Sequence, residues 1–197
     1  MFTTPKKITC IGRNYVEHIA ELGNAMPDEM VIFNKPSSVL SADLHAYHGA
    51  QQLHYEGELC FAIANNTPVA VAFALDLTKR DIQSQLKAKG LPWERAKSFE
   101  GAVVVSDFKA IKEADVADLS LRLYIDDELV QHGHTSHMLY PVQSAIDELA
   151  TWQPLQDGDW LLTGTPKGVG KVQQGQVFEG QVLLRDEVII SKRWHAQ

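Results

Sequence analysis

The stretch Leu53-His54-Tyr55-Glu56-Gly57-Glu58-Leu59-Cys60-Phe61 constrains the fold more than any other in the chain. Two carboxylates stand two residues apart and run straight into the apolar residues 59–64. In a β-strand, residues i and i+2 point to the same face. Glu56 and Glu58 are therefore expected side by side at the entry to a buried strand. Like charges that close repel, and burying them unpaired is costly. A divalent cation answers both problems, because hard oxygen ligands suit Mg²⁺, Mn²⁺ or Ca²⁺. Taken alone, the same spacing also describes an exposed strand face with two solvated glutamates.

A chain of 197 residues, 45% apolar and 22% charged, is long enough to bury such a strand in one large domain over residues 1–197. A net charge of −7 argues against nucleic acid as a partner. No run approaches the roughly 18 apolar residues of a membrane span. Residues 1–7 lack the apolar segment of a signal peptide, so no membrane partner is expected. Cys10 and Cys60 lie in apolar, strand-like runs. They read as reduced core residues of a cytoplasmic protein, with a disulfide left open.

Short strands are expected at 7–11, 30–33, 59–64, 69–75, 101–105, 119–125 and 160–162. Asp126-Asp127 and Arg185-Asp186-Glu187 suggest hairpin turns, and Asn65-Asn66-Thr67-Pro68 a tight connection. Helices are expected at 16–22, stopped by Gly23, at 78–89 with Thr78 as cap, and at 142–152 behind Pro141. Strands and helices do not alternate regularly. That favours an α+β arrangement over a doubly wound parallel sheet.

Asp76 closes the second apolar run and can supply a third oxygen ligand beside Glu56 and Glu58. It also suits an N-terminal cap for the next helix. His18 and Glu21 are three apart, so a helix sets them on one face. A carboxylate bonded to imidazole raises its basicity and fixes its tautomer, as a general base requires. An incidental exposed pair has the same spacing. Lys97, expected at the start of a strand, can steady a developing oxyanion or stand solvated. The segment Thr163-Gly164-Thr165-Pro166-Lys167-Gly168-Val169-Gly170 lacks the spacing of a nucleotide-binding loop. Its glycines could cradle an anion or simply form a turn-rich loop. His132, His134 and His137 have no partnering cysteine and no zinc spacing, and His45 and His48 fare no better.

Seven segments together point to a family. They are Ile11-Gly12-Arg13-Asn14-Tyr15 with His18, Asn34-Lys35-Pro36-Ser37, His54-Tyr55-Glu56-Gly57-Glu58-Leu59, Asp76 through Gln83, Lys97-Ser98-Phe99, Gln131 through Met138, and Leu162 through Gly170. In this order they resemble the small single-domain branch of the fumarylacetoacetate hydrolase family. The resemblance implies a rolled mixed β-sandwich with a few short flanking helices, usually a homodimer. It implies that Glu56, Glu58 and Asp76 bind Mg²⁺ or Mn²⁺. It places Lys97 and Thr165 on the substrate, a small 2-oxo acid, with Arg13, Arg80 and Gln83 close by. His18 and Glu21 fall on a mobile N-terminal lid, residues 1–30, that closes over the site.

The chemistry so implied is a Lewis-acid cation stabilising an enolate. The leading expectation is C–C hydrolysis of acylpyruvate-type 2,4-dioxo acids. Isomerisation or decarboxylation of 2-hydroxy-dienoate diacids from aromatic catabolism, or oxaloacetate decarboxylation, uses the same enolate. For those diacids Arg13, Arg80 and Lys167 are candidates to meet the second carboxylate. A catalytically silent binding homodimer is the reading from another class. Segments 39–52 and 64–69 are shorter than the family pattern, beside intact ligands.

Overall fold

The two apolar runs that flank Asn65-Asn66 form the central hairpin of the molecule. The computed structural model describes residues 4–21, 23 and 26–197. In chain order the main strands are β1 (Lys7–Gly12), β2 (Val31–Pro36), β3 (Leu40–Ser41), β4 (Gly57–Ala64), β5 (Thr67–Asp76), β6 (Val103–Val105), β7 (Lys109–Ala110), β8 (Leu119–Ile125), β9 (Glu128–His134), β10 (Trp160–Leu162), β11 (Val177–Leu184) and β12 (Glu187–His195). The α-helices are α1 (Val16–Glu21), α2 (Arg80–Ala88), α3 (Glu94–Lys97) and α4 (Val142–Ala150).

The larger sheet runs β2-β1-β10-β4-β5-β6-β3, and β7 also pairs with β5. Its β1–β10 and β3–β6 pairs are parallel and the others antiparallel. The second sheet, β9-β8-β11-β12, is antiparallel throughout. The result is a mixed, strand-rich α+β sandwich with short helices around it, as expected. Residues 57–63 of β4 and 70–76 of β5 are buried without a break. A strand covered on both faces reads as continuous apolar sequence, which is the pattern of these two runs.

The second sheet lies against this hairpin through Leu121, Leu123, Phe178 and Val182, all fully buried. Leu121 and Leu123 share one face of their strand, as do Phe178 and Val182 of theirs, as period two demands. Close approach needs two residues without side chains. A Cβ on Gly180 would come within 2.2 Å of the Phe73 ring, and one on Gly57 within 2.9 Å of the Gln131 carboxamide.

Three two-residue turns, Asn65-Asn66, Asp126-Asp127 and Arg185-Asp186, have positive φ at both positions. This is the turn that matches the twist of a hairpin. Asn and Asp tolerate that conformation, but Arg185 does not by itself. Its guanidinium Nε donates to Asp118 Oδ2 at 2.9 Å.

Several boundaries differ from expectation. Thr78 does not cap α2, which starts at Arg80. Its backbone is held extended by a two-way bridge to His54, with both N···O distances 2.9 Å. Lys97 ends the one-turn helix α3 instead of opening a strand. The strand expected at 101–105 contracts to β6, and α4 stops two residues short of Trp152. Segment 39–52 holds β3 and a ribbon of Tyr47–His48 with Gln51–Gln52. Cys10 and Cys60 are free and buried, on strands that flank β10. Of the expected lid, residues 1–3, Leu22, Asn24 and Ala25 lie outside the described residues.

Candidate functional site

Antiparallel pairing sets the entry of β4 beside the exit of β5. Asp76 N donates to Glu56 O at 2.8 Å, and Glu58 stands opposite Ala74. The three carboxylates therefore meet at the open end of the hairpin. One oxygen from each of Glu56, Glu58 and Asp76 lies within 4.8 Å of the other two, and all three residues are buried. The expected convergence is present.

Cations are shared unequally among them. Lys97 Nζ donates to Glu56 Oε2 at 2.9 Å, Asp76 Oδ2 at 2.8 Å and Thr78 Oγ1 at 2.7 Å. Arg80 Nη2 donates to Glu56 Oε1, and its Nη1 to Gln83 Oε1 at 2.7 Å. Lys35, fully buried, places Nζ 2.6 Å from Asp76 Oδ1 and donates to the carbonyls of Lys97 and Ala102. Glu58 forms no ion pair among the described residues; its Oε2 accepts from Gly164 N at 2.8 Å.

The electrostatics follow this partition. Burial opposes ionisation of Glu56, but Lys97 and Arg80 outweigh it and hold the carboxyl well below its usual range. Burial, then repulsion from Asp76 and Glu56, pushes Glu58 well above it. Burial pulls Lys97 down, but Asp76 and Glu56 more than compensate and raise it. Three converging oxygens with one uncompensated carboxylate fit a hard divalent cation. Glu56, Glu58 and Asp76 would hold it.

Above the carboxylates sits α1. His18 is buried, with Nδ1 3.2 Å from Glu21 Oε2. Glu21 Oε1 in turn accepts from Gly168 N at 2.9 Å. The glycine-bearing loop after β10 thus fastens the helix. Gly168 cannot be replaced simply, since a Cβ there would stand 1.9 Å from Val130 O. Burial, more than any other influence, lowers the His18 pKa, with Glu56 and Glu21 acting against it.

A cleft is lined by every expected site residue except Glu21, which acts on it through His18. Thr165 is positioned by Gln131, whose Nε2 donates to Thr165 Oγ1 and to Pro166 O, both at 2.8 Å. Gln131 Oε1 accepts from Gly57 N at 2.9 Å, which ties the loop to the hairpin. Lys167 is the exception among the suggested cations. It stands 62% exposed, paired to Glu17 at 3.1 Å, and does not line the cleft.

Sequence reasoning missed Lys35, Lys87, Phe33 and Trp93. Lys87 was legible, because Arg80, Gln83 and Lys87 at i, i+3 and i+7 share a helix face. All three line the cleft. A lysine inside a strand, such as Lys35, carries no comparable signal. Among the described residues the carboxylate trio is the one group with metal-holding geometry, so the histidines at 132–137 form no such site.

The sequence model described as fumarylacetoacetate (FAA) hydrolase C-terminal matches residues 7–190. A rice (Oryza sativa subsp. japonica) protein named mitochondrial oxaloacetate tautomerase FAHD2 is 39% identical, covering 95% of this chain and 92% of its own. The bovine (Bos taurus) mitochondrial oxaloacetate tautomerase FAHD1 is 37% identical, covering 90% and 87%. A crystal structure of fumarylpyruvate hydrolase from Pseudomonas aeruginosa, in complex with Mn²⁺ and pyruvate, superposes with a TM-score of 0.84. It is 27% identical over 98% of this chain and 91% of that one. No helix among the described residues is long and apolar enough to cross a membrane.

Proposed function

Since the chain belongs to the fumarylacetoacetate hydrolase family, a family of enzymes, we propose that it enolises a small 2-oxo acid with the help of Mg²⁺ or Mn²⁺, and that keto–enol tautomerisation of an oxaloacetate-type acid is its reaction. The convergence of Glu56, Glu58 and Asp76 beneath the His18–Glu21 pair is the observation that carries this reading. The names of the relatives at 37–39% identity support the choice of reaction.

When bound, the cation supplies a Lewis acid for the 2-oxo and carboxylate oxygens of the substrate. The rest falls to the chain. His18 Nδ1–H is taken by Glu21, so Nε2 is the basic atom toward the cleft. Nε2 removes the proton from C3, and the resulting imidazolium delivers it to the 2-oxygen to give the enol. Glu21 fixes the ring and steadies its positive charge. Thr165 holds a substrate oxygen, and Lys97, whose three N–H bonds go to Glu56, Asp76 and Thr78, keeps the two carboxylates in place. α1, fastened through Gly168, covers the reacting carbon and keeps bulk water out. Homodimer assembly and a cytoplasmic location belong to the same proposal, the latter supported by two free, buried cysteines.

C–C hydrolysis of a 2,4-dioxo acid is the second reading. The pyruvate-bearing fumarylpyruvate hydrolase favours it, and the same His18–Glu21 pair could activate water. One assay series with Mg²⁺ separates the two. Enol absorbance follows oxaloacetate, pyruvate release follows acetylpyruvate, and loss of dienol absorbance follows a hydroxymuconate-type diacid. Tautomerisation is expected to be the faster reaction. Faster pyruvate release reverses the order, and inactivity toward all three after metal reconstitution leaves the silent homodimer.

His18→Ala is expected to lower kcat about 10²- to 10⁴-fold while the rise in melting temperature on adding Mg²⁺ survives. Loss of both would make His18 a structural residue. The pH profile follows from the same group. Its pKa is lowered from about 6.5, and the neutral ring is the active form. Activity should therefore rise with pH through a midpoint below that value and be flat from pH 7 to 8. A midpoint above 7 in kcat/KM would contradict the assignment.

A further inference from the structure

The cleft carries more positive charge than its own carboxylates call for. Lys97, Arg80 and Lys35 already serve Glu56 and Asp76. Arg13 and Lys87 line the same cleft in addition. Arg13 forms no ion pair among the described residues, and its buried Nε makes no hydrogen bond there. Its backbone is held at φ +56°, a conformation that side-chain-bearing residues seldom adopt. Such strain is kept where the surrounding structure has a use for it.

Lys87 comes from the last turn of α2, on the face that carries Arg80 and Gln83. Its Nζ lies 5.8 Å from the Trp93 ring centroid, and Trp93 stacks at 5.9 Å on Phe33. An aromatic wall therefore backs the ammonium. Burial lowers its proton affinity, and the positive charges of Arg13 and Arg80 lower it further. These groups line one cleft, and an anion among them relieves the repulsion. A divalent cation at the carboxylates adds to the positive excess. A monoanionic substrate leaves much of that excess uncompensated, and a dianion compensates it better.

We propose that Lys87 and Arg13 bind the second carboxylate of the substrate, which makes the enzyme selective for 2-oxo diacids over 2-oxo monoacids. This rests on the enolisation reading above. It replaces the exposed Lys167 with Lys87 as the lysine of the second-carboxylate site.

The test compares oxaloacetate with its 4-methyl ester, which lacks the distal charge and adds one methyl group. Both are assayed by enol absorbance with Mg²⁺. The wild type should prefer the diacid at least about tenfold in kcat/KM. Lys87→Met, which keeps the aliphatic stem against Trp93, should cut that preference about tenfold, chiefly through KM for the diacid. Lys87→Arg should restore most of it. A wild type without preference overturns the proposal, as does a variant that slows both compounds equally. If the wild type turns over neither, the tautomerase reading fails by itself. Calorimetric binding of the two compounds in Mg²⁺ then decides: tighter diacid binding that Lys87→Met abolishes supports the site, and equal binding overturns it.

Discussion

Glu58→Gln is expected to abolish cation binding and lower turnover about a thousandfold, equivalent to about 4 kcal/mol, without destabilising the metal-free protein. Glu58 differs from its two neighbours in forming no ion pair among the described residues. Glutamine keeps an oxygen to accept from Gly164 N and removes the like charge facing Asp76 and Glu56. The sign of the pH effect is fixed. A carboxyl raised above its unfolded value binds its proton more tightly when folded, so stability falls as pH climbs from the ordinary carboxylate range. The metal-free wild type should therefore lose stability with rising pH by an amount that Glu58→Gln does not. Asp76→Asn should behave differently, because it strips charge from beside two buried lysines, Lys35 and Lys97. Thermal unfolding with and without Mg²⁺ at pH 6 and 8 checks both halves. A Glu58→Gln protein that melts well below the metal-free wild type at pH 8, or still gains stability from Mg²⁺, would sink the argument.

Gly180→Ala should cost about 3 kcal/mol or more and lower the melting temperature by about 10 °C. Gly180 is a mid-strand residue of β11 with an ordinary backbone, so strain plays no part. The cost is steric. The added methyl would meet Cδ1 of Phe73 at 2.2 Å and Cε1 at 2.4 Å. Phe73 is fully buried in the central hairpin and near Trp194, so it has little room to move. Phe73→Leu combined with Gly180→Ala should recover part of the loss. Equal melting temperatures for Gly180→Ala and wild type would show that the two sheets can separate freely.

What could be seen in the sequence depended on periodicity. The central hairpin was visible because two apolar runs flank a turn, and Glu56, Glu58 and Asp76 followed from alternation along it. The register that completes the trio is not written in either strand alone; the two-residue turn and the bulge between Ala62 and Ile63 set it together. Lys97 was misplaced because a four-residue helix is too short to show a period. Thr78 has the chemistry of a cap, but its pairing with His54 is a long-range contact and leaves no local trace. Lys35 lies beyond the strand expected at 30–33, and its burial is decided by Asp76, Lys97 and Ala102. The place of Gly180 is likewise a matter of what the other sheet brings to it.

The hairpin β4–β5 carries its carboxylates at the open end and its turn, with Asn65 and Asn66 exposed, at the other. About eight residues of strand, roughly 25 Å, separate them. Chemistry and connection are thus uncoupled along one element. The tip can lengthen, shorten or accept a foreign segment without altering the spacing of the three oxygens, provided the pairing of Glu58 with Ala74 is kept. For anyone wishing to tether, label or display this protein, Asn65-Asn66 is the place where an insertion leaves the carboxylate trio alone.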